Sequence, residues 1–230
     1  MNKIVKNTVV ALMIMSISNH ALGAFVINGT RYIFDEEKKN ISFEVTNNSE
    51  QTYGGQIWVD NTNQDKEDVF MVPAPNFFKA KPKQKQVIRL LNVNSELPKD
   101  RESLFWLNVQ EIPPKPAESD GSMIAIALNT QVKLIYRPKA LKDGRLNAEK
   151  NVQLLRKGGE IIFNNPTPYY FAVVGVKQAG KDVNITPEQS AALAQLGPFS
   201  EVSLGKITLD GIVSIDAIND WGGVDNYEIR

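Results

Sequence analysis

Residues Gly121 to Pro138, GSMIAIALNTQVKLIYRP, constrain this chain more than any other stretch. From Ile124 the large residues Ile124, Ile126 and Leu128 alternate with Ala125 and Ala127, and Val132, Leu134 and Tyr136 then alternate with Gln131, Lys133 and Ile135. A period of two is the pattern of a pleated strand, whose successive side chains point to opposite faces. A strand from Ile124 to Tyr136 would run roughly 43 Å, about twice the usual length. Part of it is therefore expected outside the core of its own domain. Two placements fit. One is a long central strand of a sandwich, buried on both faces. The other is an edge strand that presents Ile124, Ile126 and Leu128 to another chain, with Lys133 as a fixed charge nearby. An exposed apolar edge invites pairing, and proteins ordinarily blunt it.

The first residues read as an address. Lys3 and Lys6 precede an apolar run from Val9 to Ile17, and Ala21, Leu22 and Gly23 supply small residues at the minus-three and minus-one positions of a cut after Gly23. A cleaved secretory signal peptide is expected over residues 1–23. The run is well short of the roughly 20 residues that cross a bilayer, and no later stretch is long and apolar enough, so no membrane span is expected.

That cut matters for chemistry. The sequence carries 26 Lys and Arg, 26 Asp and Glu, one histidine and no cysteine. Removing residues 1–23 takes two lysines, His20 and no acid, which leaves a formal charge of −2 and no histidine. A chain without His or Cys cannot build a Ser-His-Asp triad, a cysteine nucleophile or an ordinary zinc site. No catalytic residue, metal or cofactor is expected. The near-neutral balance also lacks the basic footprint of a nucleic-acid binder. With no disulfide, burial alone must hold the fold, which about 207 residues can do as one large or two ordinary domains.

Strand-like segments recur along the mature chain. Phe25 and Ile27 lead into Thr30 to Phe34, Asp35 to Asn40 form a charged turn, and Ile41, Phe43 and Val45 alternate before a break at Asn47, Asn48 and Ser49. Gln56 to Val59 resumes the pattern. Pro73, Pro75 and Pro82 confine their surroundings to edges or loops. The lysines between Lys79 and Lys85 read as a solvated turn, and Val87 to Leu91 as a strand buried on both sides. Leu104 to Gln110 is a further strand, joined through Pro113, Pro114, Pro116 and a polar stretch to the key segment. After Pro138 the texture becomes charged, KALKDGRLNAEK, and a domain boundary is expected there. Beyond it Glu160 to Phe163, Tyr169 to Val176, Val202 to Leu209 and Ile212 to Ile218 read as strands, and Thr186 to Leu196 as a short helix or a loop.

Several of these blocks resemble one family. IAIAL followed by KLIYRP is similar to the G strand of the PapD-like periplasmic pilus chaperones. TRYIF, around an arginine that by its own pattern is a surface residue, is similar to their first-strand motif. LFWLNVQEIPP resembles their F strand and F-to-G connection, and NNPTPYYF and AINDWGG stand in the order of their second domain. The short connection and the absence of cysteine match the short-loop subgroup.

The resemblance implies an all-β chain of two immunoglobulin-like sandwiches, residues 24–140 and 141–230, set at an angle with a cleft between them. It implies that Arg31 and Lys133 anchor the C-terminal carboxylate of a pilus subunit, that Ile124, Ile126 and Leu128 are the donor-strand residues, and that Glu102, Arg137 and Asp220 form an interdomain charge cluster. The implied function is that of a non-enzymatic periplasmic chaperone that caps pilus (fimbrial) subunits by donor-strand complementation and delivers them to an outer-membrane usher. Free of a subunit, the edge would be capped by its own loop or form a weak self-dimer. The rival readings are a structural or adhesive periplasmic β-sandwich without chaperone activity and a hydrolase working with carboxylates alone.

Overall fold

A computed structural model describes residues 23–115 and 126–229. Nine strands form the first sandwich: β1 (Phe25–Ile27), β2 (Arg31–Asp35), β3 (Asn40–Asn47), β4 (Tyr53–Asn61), β5 (Met71–Ala74), β6 (Phe77–Ala80), β7 (Lys85–Asn92), β8 (Ser103–Ile112) and β9 (Asn129–Arg137). They divide into a sheet of order β1-β3-β7-β5 and one of order β2-β9-β8-β4-β6. Phe34, Phe43, Ile57, Ile88, Leu90, Phe105, Leu107 and Leu134 meet between the sheets and are almost fully buried. Seven strands and one helix form the second sandwich: β10 (Gln153–Lys157), β11 (Glu160–Asn165), β12 (Val173–Gln178), β13 (Lys181–Asp182), α1 (Pro187–Leu193), β14 (Ser200–Ser203), β15 (Val213–Ile218) and β16 (Val224–Ile229). Their sheets have the orders β10-β11-β14 and β13-β12-β15-β16 around a separate core that includes Phe163, Phe171, Leu193 and Ile215. A third cluster, Leu104, Ile135 and Tyr170 with Ile33 against it, joins the two.

The key strand is shorter than its alternation predicts, and the difference has a local cause. β9 begins at Asn129, and Ile126 and Leu128 precede it; Ile124 lies outside the described residues. Pairing needs donors on the neighbour, and β8 ends at Ile112, directly before Pro113 and Pro114, which have no N–H. The final bond of the ladder runs from the Glu111 amide to the Leu128 carbonyl at 3.0 Å. β9 also divides the two readings of its burial. Its second half pairs with both β8 and the parallel strand β2, Arg31 against Lys133 through Asp35 against Arg137. Among the described residues its first half pairs with β8 alone and is an edge.

Other departures are smaller. In β7, Ile88 and Leu90 are buried while Val87 is half exposed, so the strand alternates instead of burying both faces. The expected strand from Val202 to Leu209 stops at Ser203, and that from Tyr169 to Val176 starts at Val173 after a single bridge between Phe171 and Leu196. No strand is expected beyond Ile218, yet Val224–Ile229 form β16, paired with β15 over its whole length. Thr186 to Leu196 opens as a helix because Thr186 and Gln189 form a reciprocal capping box with Pro187 at the first helical position.

Candidate functional site

The parallel pairing of β2 and β9 sets Arg31 directly beside Lys133. Both long side chains leave the first sandwich toward the second. The Arg31 Nη1 donates to the Ile218 carbonyl at 2.9 Å, at the end of β15, while its buried Nε has no acceptor among the described residues. The Lys133 ammonium donates to the Ala194 carbonyl, which the end of α1 leaves free, and lies 6.0 Å from the Trp106 ring centroid. Leu104, Ile135, Tyr170, Phe171, Ala172 and Gln195 complete the walls around a void of about 10 Å³, a single water site in size. Among the described residues neither cation forms an ion pair. Burial, with the neighbouring Arg31 charge, pushes Lys133 down to about 8 from the ordinary 10.5. Burial also lowers Arg31, and the Asp220 charge opposes that shift.

Four residues further along β9, and on the same face, stands a cation in the opposite situation. Arg137 donates from Nε to Glu102 Oε1 at 2.6 Å and from Nη1 and Nη2 to the two oxygens of Asp220 at 2.7 and 3.1 Å. The second Glu102 oxygen accepts the Tyr170 amide at 2.7 Å. Glu102 precedes β8 and Asp220 follows β15, so the guanidinium ties the two sandwiches together. Burial works against the Arg137 charge, and the Asp220 and Glu102 carboxylates overcome it and raise its pKa above the ordinary value. Burial raises the Glu102 carboxyl against the pull of Arg137. At Asp220 burial acts in the same direction, but Arg137 outweighs it and holds the carboxyl below the usual range.

Two members of this network were absent from the sequence reading. Arg145 lies 3.6 Å from Asp220 and pairs with buried Glu149 through two bonds of 3.0 and 2.8 Å. The i, i+4 spacing of RLNAE was a usable signal for the second pair; the contact with Asp220 depends on the fold.

The exposed edge is held from beneath by amides. Asn108 of β8, 1% exposed, donates to Asp60 Oδ2 at 2.8 Å and to the Trp106 carbonyl at 3.2 Å. Its own oxygen accepts from Asn129 at 3.0 Å and from Gln131 at 2.9 Å. Two donors and two acceptors saturate the amide, which ties the unpaired half of β9 to the body of the sheet. Just beyond, Ile126 and Leu128 are 68% and 47% exposed.

Comparison with known proteins gives the family of the chain. The family described as "Pili and flagellar-assembly chaperone, PapD N-terminal domain" matches residues 24–142, and "Pili assembly chaperone PapD, C-terminal domain" matches residues 147–229. Chaperone protein FanE of Escherichia coli is 45% identical over 230 residues, which cover 100% of this chain and 99% of that protein. Chaperone protein PapD of Escherichia coli is 32% identical over 223 residues, 95% of this chain and 91% of that one. The crystal structure of the Pseudomonas aeruginosa CupB2 chaperone superposes with a TM-score of 0.71 at 29% identity, covering 88% of this chain and 98% of that one. With both sandwiches matched in order and the relatives aligned nearly end to end, this chain belongs to the PapD-like family of pilus-assembly chaperones.

Proposed function

We propose that this chain is exported to the periplasm by a cleaved signal peptide, residues 1–23, and there binds pilus subunits, anchoring each subunit's C-terminal carboxylate between Arg31 and Lys133. The observation that carries this reading is a pair of half-buried cations side by side, neither with an ion-pair partner among the described residues and only Arg31 within reach of the more distant Asp220 charge. Such a pair is costly unless a ligand supplies the charge, and a terminal carboxylate fits, because its two oxygens can accept from both groups. Each charged hydrogen bond contributes about 1.5–3 kcal/mol.

From that anchor a bound chain would run along the unpaired half of β9 toward Leu128 and Ile126. Main-chain bonds give affinity in such strand addition, and apolar side chains give fit. Ile126, Leu128 and, by the period of two, Ile124 would fill the subunit's open core, each contributing about 1.5–3 kcal/mol before ordering costs. The role of Glu102, Arg137 and Asp220 is to fix the two sandwiches, residues 24–140 and 141–230, so that both walls of the anchor stay in place. Delivery to an outer-membrane usher and membership of the short-connection subgroup rest on the family resemblance. The same free edge would pair two unliganded copies weakly, a dimer that Ile126→Asp would disperse in sedimentation runs. Anchoring and strand addition neither make nor break a covalent bond, so subunit binding needs neither catalytic groups nor a cofactor.

Periplasmic co-expression with a pilus subunit tests the anchor. Lys133→Ala and Arg31→Ala are expected to keep the circular dichroism of the parent and lose the copurifying subunit. Normal subunit recovery with both folded variants would sink the carboxylate anchor.

A further inference from the structure

Glu111 stands where a core residue belongs. Along β8 the side chains of Phe105, Leu107 and Val109 enter the first core, and the next inward position is Glu111, 6% exposed. Among the described residues its carboxylate has one hydrogen bond, from the Phe25 amide to Oε2 at 3.0 Å, and no ion-pair partner. A carboxylate buried this far without a countercharge is strongly disfavoured, and a lone amide is a weak remedy.

The segment that reaches it is the one a cut after Gly23 would free. A Cβ on Gly23 would lie 3.5 Å from Glu111 Oε2 and 3.5 Å from Leu128 Cδ1. The residues that follow are fixed by packing. Ala24 is 6% exposed and its carbonyl accepts the Asn48 amide at 2.7 Å, and the Phe25 ring stacks on Phe78 with centroids 5.5 Å apart. Gly55 permits that stack, since a Cβ there would come within 2.3 Å of Phe78. The nitrogen of Ala24 therefore lies in the chain between Gly23, whose Cβ direction meets the Glu111 carboxylate, and the Phe25 amide that donates to it.

We propose that the α-ammonium created at Ala24 by removal of the signal peptide forms an ion pair with Glu111, and that Glu111 is thereby a positioning residue for the root of the donor segment. In the hydrolysis by an export peptidase, water gives its hydroxyl to the Gly23 carbonyl and a proton to the Ala24 nitrogen, which takes a second proton from solvent at neutral pH. The buried carboxylate then has the countercharge the rest of the described chain does not offer. The coupling to function is through the same residue's backbone: the Glu111 amide makes the last ladder bond, to the Leu128 carbonyl at 3.0 Å. Its side chain holds the new terminus and its main chain holds the start of the donor segment. The device rests on the export reading proposed above, and its test needs no subunit.

The mature protein purified from the periplasm is examined by intact mass and is expected to start at Ala24; a different start overturns the proposal. Its melting temperature is then measured with the terminal amine free or acetylated, in the parent and in Glu111→Gln, which keeps an acceptor for the Phe25 amide and removes only the charge. Acetylation is expected to lower the parent's melting temperature by about 5 °C and to speed hydrogen exchange at the Glu111 amide, and to do neither in Glu111→Gln. Equal effects of acetylation in both proteins overturn the ion pair. Should Glu111→Gln fail to fold, the parent alone decides: an unchanged melting temperature and exchange rate on acetylation overturn it. Loss of subunit binding in an otherwise conforming protein would count against the chaperone reading and leave this pair standing.

Discussion

Lys133 and Arg137 lie on the same face of one strand, four residues apart, and face the same neighbouring sandwich, yet their surroundings are opposite. Arg137 is matched at Nε, Nη1 and Nη2 by two carboxylates, and further charge from Arg145 and Glu149 closes the network. Among the described residues, Lys133 and its partner Arg31 donate only to backbone carbonyls. A carbonyl can satisfy a donor without neutralising its charge. The closed site is consistent with a fixed joint, and the open one with a place kept for an anion that comes from outside.

The largest expected effect comes from breaking the closed site. Arg137→Ala leaves Glu102 buried and Asp220 half-buried facing each other without their common cation, a kind of loss that costs about 3–5 kcal/mol. The melting temperature should fall and the solution scattering profile should broaden as the joint loosens. A variant unchanged in both would mean that the network does not fix the two sandwiches.

The open site should respond in the reverse manner. Lys133→Ala and Arg31→Ala remove cations that folding had to desolvate, so neither should destabilise the free protein appreciably. Each should weaken binding of a subunit's C-terminal peptide about 10–100-fold, by loss of one charged hydrogen bond. Both act on one carboxylate, so the double variant should lose much less than the product of the singles. Multiplicative losses by calorimetry would indicate two separate contacts.

Lys133 also makes the comparison depend on pH. Its folded pKa is about 8, below the ordinary 10.5. Above pH 8 the native chain has lost a proton that the unfolded chain still holds, so the stability of the parent relative to Lys133→Ala should rise between pH 8 and 10.5. Binding should move the other way. A carboxylate stabilises the ammonium, so affinity should be level below pH 8 and fall by up to about tenfold per unit above it. The Lys133→Ala protein should lack that fall, and a parallel fall in both would assign the titration elsewhere.

Much of this was legible in the residues, for unequal reasons. Strand alternation in ISFEV and LFWLNV follows from the pleat, a local property, and the segments at Ile41 and Leu104 became β3 and β8. The extent of the key strand did not follow, because it depends on the neighbour's donors and ends where Pro113 and Pro114 end them. Arg31 read alone as a surface arginine, since nothing in TRYIF encodes the Ile218 carbonyl 187 residues away. β16 carries little signal in the residues, because Asp225, Asn226 and Glu228 are polar and only Tyr227 and Ile229 are buried. An N-x-Ser/Thr turn recurs in the two sandwiches, at Asn47 with Ser49 and at Asn165 with Thr167, with equal hydroxyl bonds of 2.7 Å. Two matching positions so far apart form no repeat in the sequence until the fold aligns them.

The smallest effect belongs to the strip between the two sites and the donor segment. Gln131 contributes one hydrogen bond to saturated Asn108 from an exposed position, and Asn129 continues to occupy the other acceptor site. Gln131→Ala should therefore cost only about 0.5–1 kcal/mol of stability. Its effect should be local, since residues Asn129 to Val132 have β8 on one side and, among the described residues, no strand on the other. Hydrogen exchange is expected to quicken for amides of that half of β9 and to stay unchanged from Lys133 to Arg137, where β2 completes the pairing. Peptide affinity should drop by no more than about fivefold, far less than for Lys133→Ala, because the edge would lose rigidity while the anchor keeps its charge. If Gln131→Ala weakened binding as strongly as Lys133→Ala, register along the edge, more than the cation pair, would govern recognition, and the open site would owe its function to the amides beneath it.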